Sequence, residues 1–236
     1  MGNEKNKVTV RVQKIKKNYK FLGNSSSNGS NVGQLTSGEK GLVERITNAI
    51  DAVIEKQKNK CGIVSAKDSL AIIKKAFPKY YENMIDVIND NAEKSFAKDA
   101  EGQVILAVND GSKSNKPTFD VIDKGTGLLG SEFESTILSI NHGNKLSREK
   151  SYLIGAFGQG GSTSLPFTYA TIILSKKENR FFFTIIKRVE LIDYKNMVYV
   201  YFTLNDQIPE LNFNNFTCDD NYLDDFVNQS DSGTLV

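Results

Sequence analysis

Three groups of residues have the types and spacing of a chemical site. Glu44, Asn48 and Asp51 stand at positions i, i+4 and i+7. On a helix turning 100° per residue they fall within roughly 60° of one another, so they share one face. An acid, an amide and a second acid on one face offer oxygen ligands for a hard cation and a carboxylate that can activate water. The aliphatic residues of the same stretch centre on the opposite side, so packing alone does not call for the trio. Taken by itself, the face reads first as the solvated stripe that any amphipathic helix has.

The second group, Asp123-Lys124-Gly125-Thr126-Gly127, follows the apolar Val121-Ile122. It places a fixed acceptor at a strand end beside backbone bare enough for a planar ligand to approach closely. The same residues also suit an ordinary turn. The third group is Gly155-Ala156-Phe157-Gly158-Gln159-Gly160-Gly161-Ser162. Glycines at this density let successive backbone N–H groups converge on an anion, and a helix starting near Ser162 would add its N-terminal dipole. A glycine-rich hinge is the other reading. The segment lacks the G-K-[ST] ending of a Walker loop and does not match the dinucleotide fingerprint.

The elements that must position these groups follow from hydrophobic period. Val8, Val10 and Val12 alternate as in a half-buried strand, and Gly23 to Gly33 reads as a flexible loop. Thr36 and Glu39 have capping-box spacing for a long helix, whose apolar positions run from Leu42 to Ile54 and which ends near Lys60. A second helix opens at Ser65 and stops before Pro78, and a third covers Tyr80 to Phe96. The period then shortens to that of strands, at Val104 to Val108 and Thr118 to Ile122. A short helix near Ser131 to Ile140 and the glycine-rich segment precede three further strands, Tyr169–Leu174, Arg180–Arg188 and Met197–Leu204. Helices first and antiparallel strands after predict an α+β fold, a two-layer sandwich with a mixed, mostly antiparallel sheet and helices on one face.

The 236 residues suit one domain, 1–236, with residues 55–100 expected to be a helical insertion. No apolar run approaches the roughly 20 residues that span a bilayer, so a cytoplasmic address and no membrane partner are expected. Cys61 and Cys218 are far apart and outside any metal-binding spacing, which disfavours zinc and a disulfide scaffold. The net charge of +2 hides an asymmetry: residues 1–20 carry seven Lys or Arg and one acid, whereas 205–236 carry seven acids and no Lys or Arg. The basic start leaves a nucleic-acid contact open, weakly, beside plain solvation.

The three groups occur in a fixed order, and together the sequence resembles the GHKL superfamily of gyrase, heat-shock chaperone, histidine kinase and MutL ATPases, which bind ATP on the Bergerat fold. Glu44 to Ala52 is similar to their first motif, Asp123 to Gly127 to the second, and Ile154 to Gly160 to the third, in the form closest to the chaperone and MORC branches. Ser232-Gly233-Thr234-Leu235-Val236 is similar to the Gly-Thr before a final strand.

The resemblance implies ATP and Mg2+ as cofactors. Glu44 would be the general base toward water and Asn48 the magnesium ligand. Asp123 would accept from the adenine amino group, with Thr234 supporting it and Gly125 and Gly127 close to the base. Asp51 would brace the adenine pocket or the neighbouring loop. Gly155, Phe157, Gly158, Gln159, Gly160 and Gly161 would form the phosphate loop and lid, to which Lys145 could add a point charge. Nucleotide would drive lid closure and association into a homodimer within a larger machine. The alternatives are a non-hydrolysing nucleotide-binding scaffold and a DNA-linked ATPase of the MutL or MORC sort. In the family the last strand of the fold runs where this chain stops, so a fragment is expected, with the C-terminal domains of a longer parent protein as partners and hydrolysis by the fragment slow.

Overall fold

The computed structural model describes residues 9–10, 18–24, 28, 32, 37–63, 68–88, 99–110, 116–140, 152–154, 160–191, 196–213 and 221–236. Among them one sheet of nine strands forms the frame: β1 (Thr9–Val10), β2 (Tyr19–Phe21), β3 (Val104–Asn109), β4 (Thr118–Asp123), β5 (Ala170–Lys177), β6 (Arg180–Leu191), β7 (Asn196–Phe202), β8 (Glu210–Leu211) and β9 (Gly233–Leu235). Their spatial order is β2-β7-β6-β5-β9-β4-β3, with β1 and β8 both attached to β6. All pairings are antiparallel except β1 with β6, which is parallel.

The 12-residue β6 is the spine. Its alternating apolar residues let it bury parts of both faces. A two-residue turn joins it to β5, with Glu178 and Asn179 at φ 55° and 56°. Two successive positive φ values give a hairpin turn whose twist matches the strands. The last residues of the chain enter the middle of the sheet: β9 pairs with β4 on one side and β5 on the other.

Helices α1 (Gly38–Lys60), α2 (Ser69–Ala76) and α3 (Pro78–Ile88) come before most of the sheet, and α4 (Gly160–Thr163) follows the glycine-rich segment. Ile173, Phe182, Ile186, Tyr199 and Tyr201 line one sheet face, packed with Phe133, Leu138 and Leu165. The register puts Asp123 on this same face, toward α1. The opposite face is covered as well. Residues 221–229, a short helix α5 (Asn221–Asp224) running into a wider turn, place Phe226 and Val227 against Ile122, Leu174 and Leu235. Helices therefore lie on both faces, not on one. A central strand has two faces to bury, and the apolar alternates of β4, β5 and β9 need this second cover.

Several boundaries also differ from the sequence expectation. Ser37 caps α1 by accepting the Lys40 N–H at 3.4 Å, and Thr36 lies outside the described residues. Asp68 caps α2 through the Ala71 N–H at 2.9 Å, three residues beyond the expected start at Ser65. Pro78 opens α3, a position where its missing N–H costs nothing. The Ser131–Ile140 stretch is a 3₁₀ turn over Gly130–Glu132 continued by turns, not a helix.

Within the Gly23 to Gly33 stretch, expected to be a flexible loop, the described residues Asn28 and Val32 are buried and held. The Asn28 amide donates to Leu22 O and Tyr199 O at 2.8 and 2.7 Å and accepts the Tyr199 N–H at 2.8 Å, and Val32 is buried in the core. One side chain thus extends the β7 hydrogen-bond ladder beyond β2, which the composition of the stretch conceals.

Candidate functional site

The second group sits at the end of β4 under α1. Asp123 is 6% exposed and belongs to a cross-strand row, Asp123 on β4, Thr234 on β9, Ser175 on β5. Its Oδ1 accepts the Gly125 N–H at 2.8 Å. The Ser175 hydroxyl lies 3.2 Å from Thr234 Oγ1, donates to Gly233 O and accepts the Leu128 N–H. Burial pushes the Asp123 pKa up to about 7, against the opposing pull of the Gly125 and Thr234 N–H groups and the Lys56 charge. A buried carboxylate at a strand end is a costly arrangement unless it is used, so strongly shifted groups of this kind are site candidates.

The two glycines of this group answer to contacts within the protein. A Cβ on Gly125 would lie 2.5 Å from Ala52 Cβ and 2.7 Å from Asp123 Oδ1. One on Gly127, whose φ is +62°, would lie 2.0 Å from Lys176 O. The space beside each is filled by the protein itself, not left open for a planar ligand. Close approach of backbone is still the reason for glycine, but its partner is α1 in one case and β5 in the other.

Helix α1 connects the groups. Ala52 touches Gly125, and one turn on Lys56 Nζ donates to Lys124 O at 2.9 Å and pairs with Asp231. Lys60 holds the other Asp231 oxygen at 3.1 Å. Partial burial pushes the Asp231 carboxyl upward, but hydrogen bonds and charge from the two lysines outweigh it and bring its pKa down to about 2. Residues 55–60, expected to begin an insertion, are therefore the C-terminal turns of α1 and fasten the loop after β4. Ser232 Oγ adds a bond to Gly125 O at 2.7 Å.

Of the first group, Asp51 is buried and its Oδ1 accepts the Ile154 N–H at 2.8 Å, so it holds the residues that lead into the third group. Glu44 and Asn48 are half-buried on the turns before it. Gly160 and Gly161 open α4, which packs on α1: a Cβ on Gly41 would lie 2.8 Å from Ser164 Cα. Gly155, Phe157, Gly158 and Gln159 lie outside the described residues, as do Lys145 and Cys218. The structure thus gathers Asp51, Asp123, Gly125 and Thr234 with the ends of the glycine-rich segment near α1, while Gly127 lies against β5. No group of three or more His, Cys, Asp or Glu among the described residues could hold a metal ion.

Sequence reading missed Arg45, Lys56 and Ser175. Arg45 is enclosed, with Nε donating to Ser164 Oγ at 3.1 Å, and burial lowers its pKa to about 10. A signal was present. Gly41, Arg45, Ala52 and Lys56 fall within about 60° on the helical wheel, and a stripe of small residues marks close packing, so cations within it are buried ones. Ser175 carried no signal, since only the register of β5 with β9 brings it to Thr234.

No protein-family model matches the chain, and no curated protein matches it either. No helix among the described residues is long and apolar enough to cross a membrane.

Proposed function

We propose that this chain is a magnesium-ATP-binding domain of the GHKL type, built on the Bergerat fold. The observation that carries the reading is Asp123, buried at the end of β4 in a row with Thr234 and Ser175 and roofed by the helix that bears Glu44 and Asn48. A carboxylate in that setting suits recognition of an exocyclic amino group, and it rejects guanine, which presents a carbonyl at the same place. Unpaired carbonyl and carboxylate oxygens in a buried site cost enough to give strong discrimination.

On this reading Asp123 and Thr234 hold the base. Asn48 offers an amide oxygen to the magnesium ion, Glu44 orients and deprotonates water, and Asp51 braces the start of the phosphate segment through Ile154. The bound metal supplies charge neutralisation at the phosphates. Slow hydrolysis, closure of the lid, dimerisation and downstream domains belong to the same proposal. Equilibrium titration with magnesium-ATP and magnesium-GTP tests it: ATP saturates the folded chain and GTP does not. Equal binding of the two, or binding of neither, defeats the assignment.

A further inference from the structure

Arg45 carries a donor that the described residues leave unmet. Its Nη2 is buried without a hydrogen-bond acceptor, while Nε is spent on the neutral Ser164 hydroxyl. Burial accounts for its lowered pKa, and no carboxylate among the described residues pulls the other way. A guanidinium keeps its charge at neutral pH and brings five donors. Enclosing one without an anion is unfavourable, and an apolar side chain of similar size would pack there at less cost.

Its position narrows what the anion is. Arg45 shares a row of α1 with Ala52, which touches Gly125 beside Asp123, and with Gly41, which touches Ser164 after α4. The seven-residue step from Arg45 to Ala52 covers about 10 Å of helix axis. Arg45 therefore lies along the helix from the base-recognising end toward α4, three residues before Asn48 and so beside it on the helix surface, where the phosphates of a nucleotide held at Asp123 would run.

Given the adenine-nucleotide reading, on which this rests, we infer that Arg45 is a phosphoryl-binding residue: its unmet N–H groups pair with the terminal phosphate of a bound nucleoside triphosphate. The planar fork suits two phosphate oxygens as it suits few other ligands. Because Nη2 is screened from solvent, the anion reaches it only as the cover over it shifts. The Ser164 bond makes the segment after α4 the part that responds.

The test compares magnesium-ATP and magnesium-ADP binding to the full chain and to Arg45→Met and Arg45→Lys. Arg45→Met is expected to keep ADP affinity within about twofold while losing ATP affinity at least about tenfold, with Arg45→Lys recovering part of the loss. Without nucleotide, the melting temperature of Arg45→Met should equal or exceed the parent's. Equal weakening of both nucleotides, or of neither, overturns the inference and leaves Arg45 a packing group.

If Arg45→Met does not fold, the Arg45 Nε–Hε resonance of the labelled parent decides. A shift with a non-hydrolysable ATP analogue but not with ADP supports the inference, and the same response to both contradicts it. A parent that binds neither nucleotide refutes the ATP reading itself, and the inference falls with it. A parent that binds both while Arg45→Met keeps the parent's ATP-to-ADP ratio refutes the inference alone.

Discussion

The Asp51 carboxylate accepts the Ile154 backbone N–H at 2.8 Å and so ties α1 to the residues entering the glycine-rich segment. Asp51→Leu removes a buried acceptor and strands that N–H, for an expected loss of about 1–3 kcal/mol. Asp51→Asn keeps an oxygen in place and should cost less. Urea unfolding of the two variants measures the difference, and parity between them would show that this bond does not fasten the segment.

Gly125 and Ala52 are in contact so close that Gly125→Ala would set two methyl groups 2.5 Å apart. Overpacking of this kind costs about 1–3 kcal/mol. A second change, Ala52→Gly, should recover only part of it, because the Ala52 carbonyl carbon remains 2.6 Å from the added atom. A double-mutant cycle by thermal unfolding reads the coupling, and strict additivity would contradict the contact.

Asp123 gives the fold a pH dependence with a definite sign. Its folded pKa of about 7 lies above the ordinary 3.8, so the folded state holds the proton more tightly. The resulting contribution to stability is complete below pH 3.8 and is lost as the pH rises through 7. Between pH 5 and 8 this group alone should lower stability on the order of 2 kcal/mol. Asp123→Asn has no proton to lose and should remove that part of the slope. Denaturation midpoints across the pH range decide it, and parallel profiles for parent and variant would place the Asp123 pKa elsewhere.

The helices and strands that position the site were legible because their period was clean. Ile46, Ile50, Val53 and Ile54 repeat at helical spacing, and Thr118 to Ile122 reads as a strand before a turn. What escaped reading depends on tertiary register. Gly233 and Thr234 resemble a Gly-Thr that precedes a final strand, yet they are themselves part of β9, which occupies the centre of the sheet between β4 and β5. Phe226 and Val227 cover the far face from a stretch rich in acids, where local pattern is weak. Of the candidate site, the residue types were visible and the small-residue stripe of α1 signalled the burial of Arg45 and Lys56, but the close approaches that fix Gly125 against α1 and Gly127 against β5 emerge only in the assembled fold.

Asn28 illustrates the same point with a measurable consequence. Its amide makes three hydrogen bonds to backbone in a fully buried setting. At about 1 kcal/mol net for each bond, and more where a partner is left bare, Asn28→Ala should cost on the order of 3 kcal/mol. Hydrogen exchange should quicken at the Tyr199 amide. A variant as stable as the parent, with Tyr199 still protected, would contradict this anchoring role.

The most direct measurement for the account as a whole is calorimetric titration of magnesium-ATP into the parent, Asp123→Asn and Glu44→Ala, each first shown to be folded. The account predicts saturable binding by the parent, strong weakening in Asp123→Asn, and retained binding in Glu44→Ala together with loss of any hydrolysis. A folded parent that takes up no magnesium-ATP, or an Asp123→Asn variant that binds it as the parent does, would contradict the central claim.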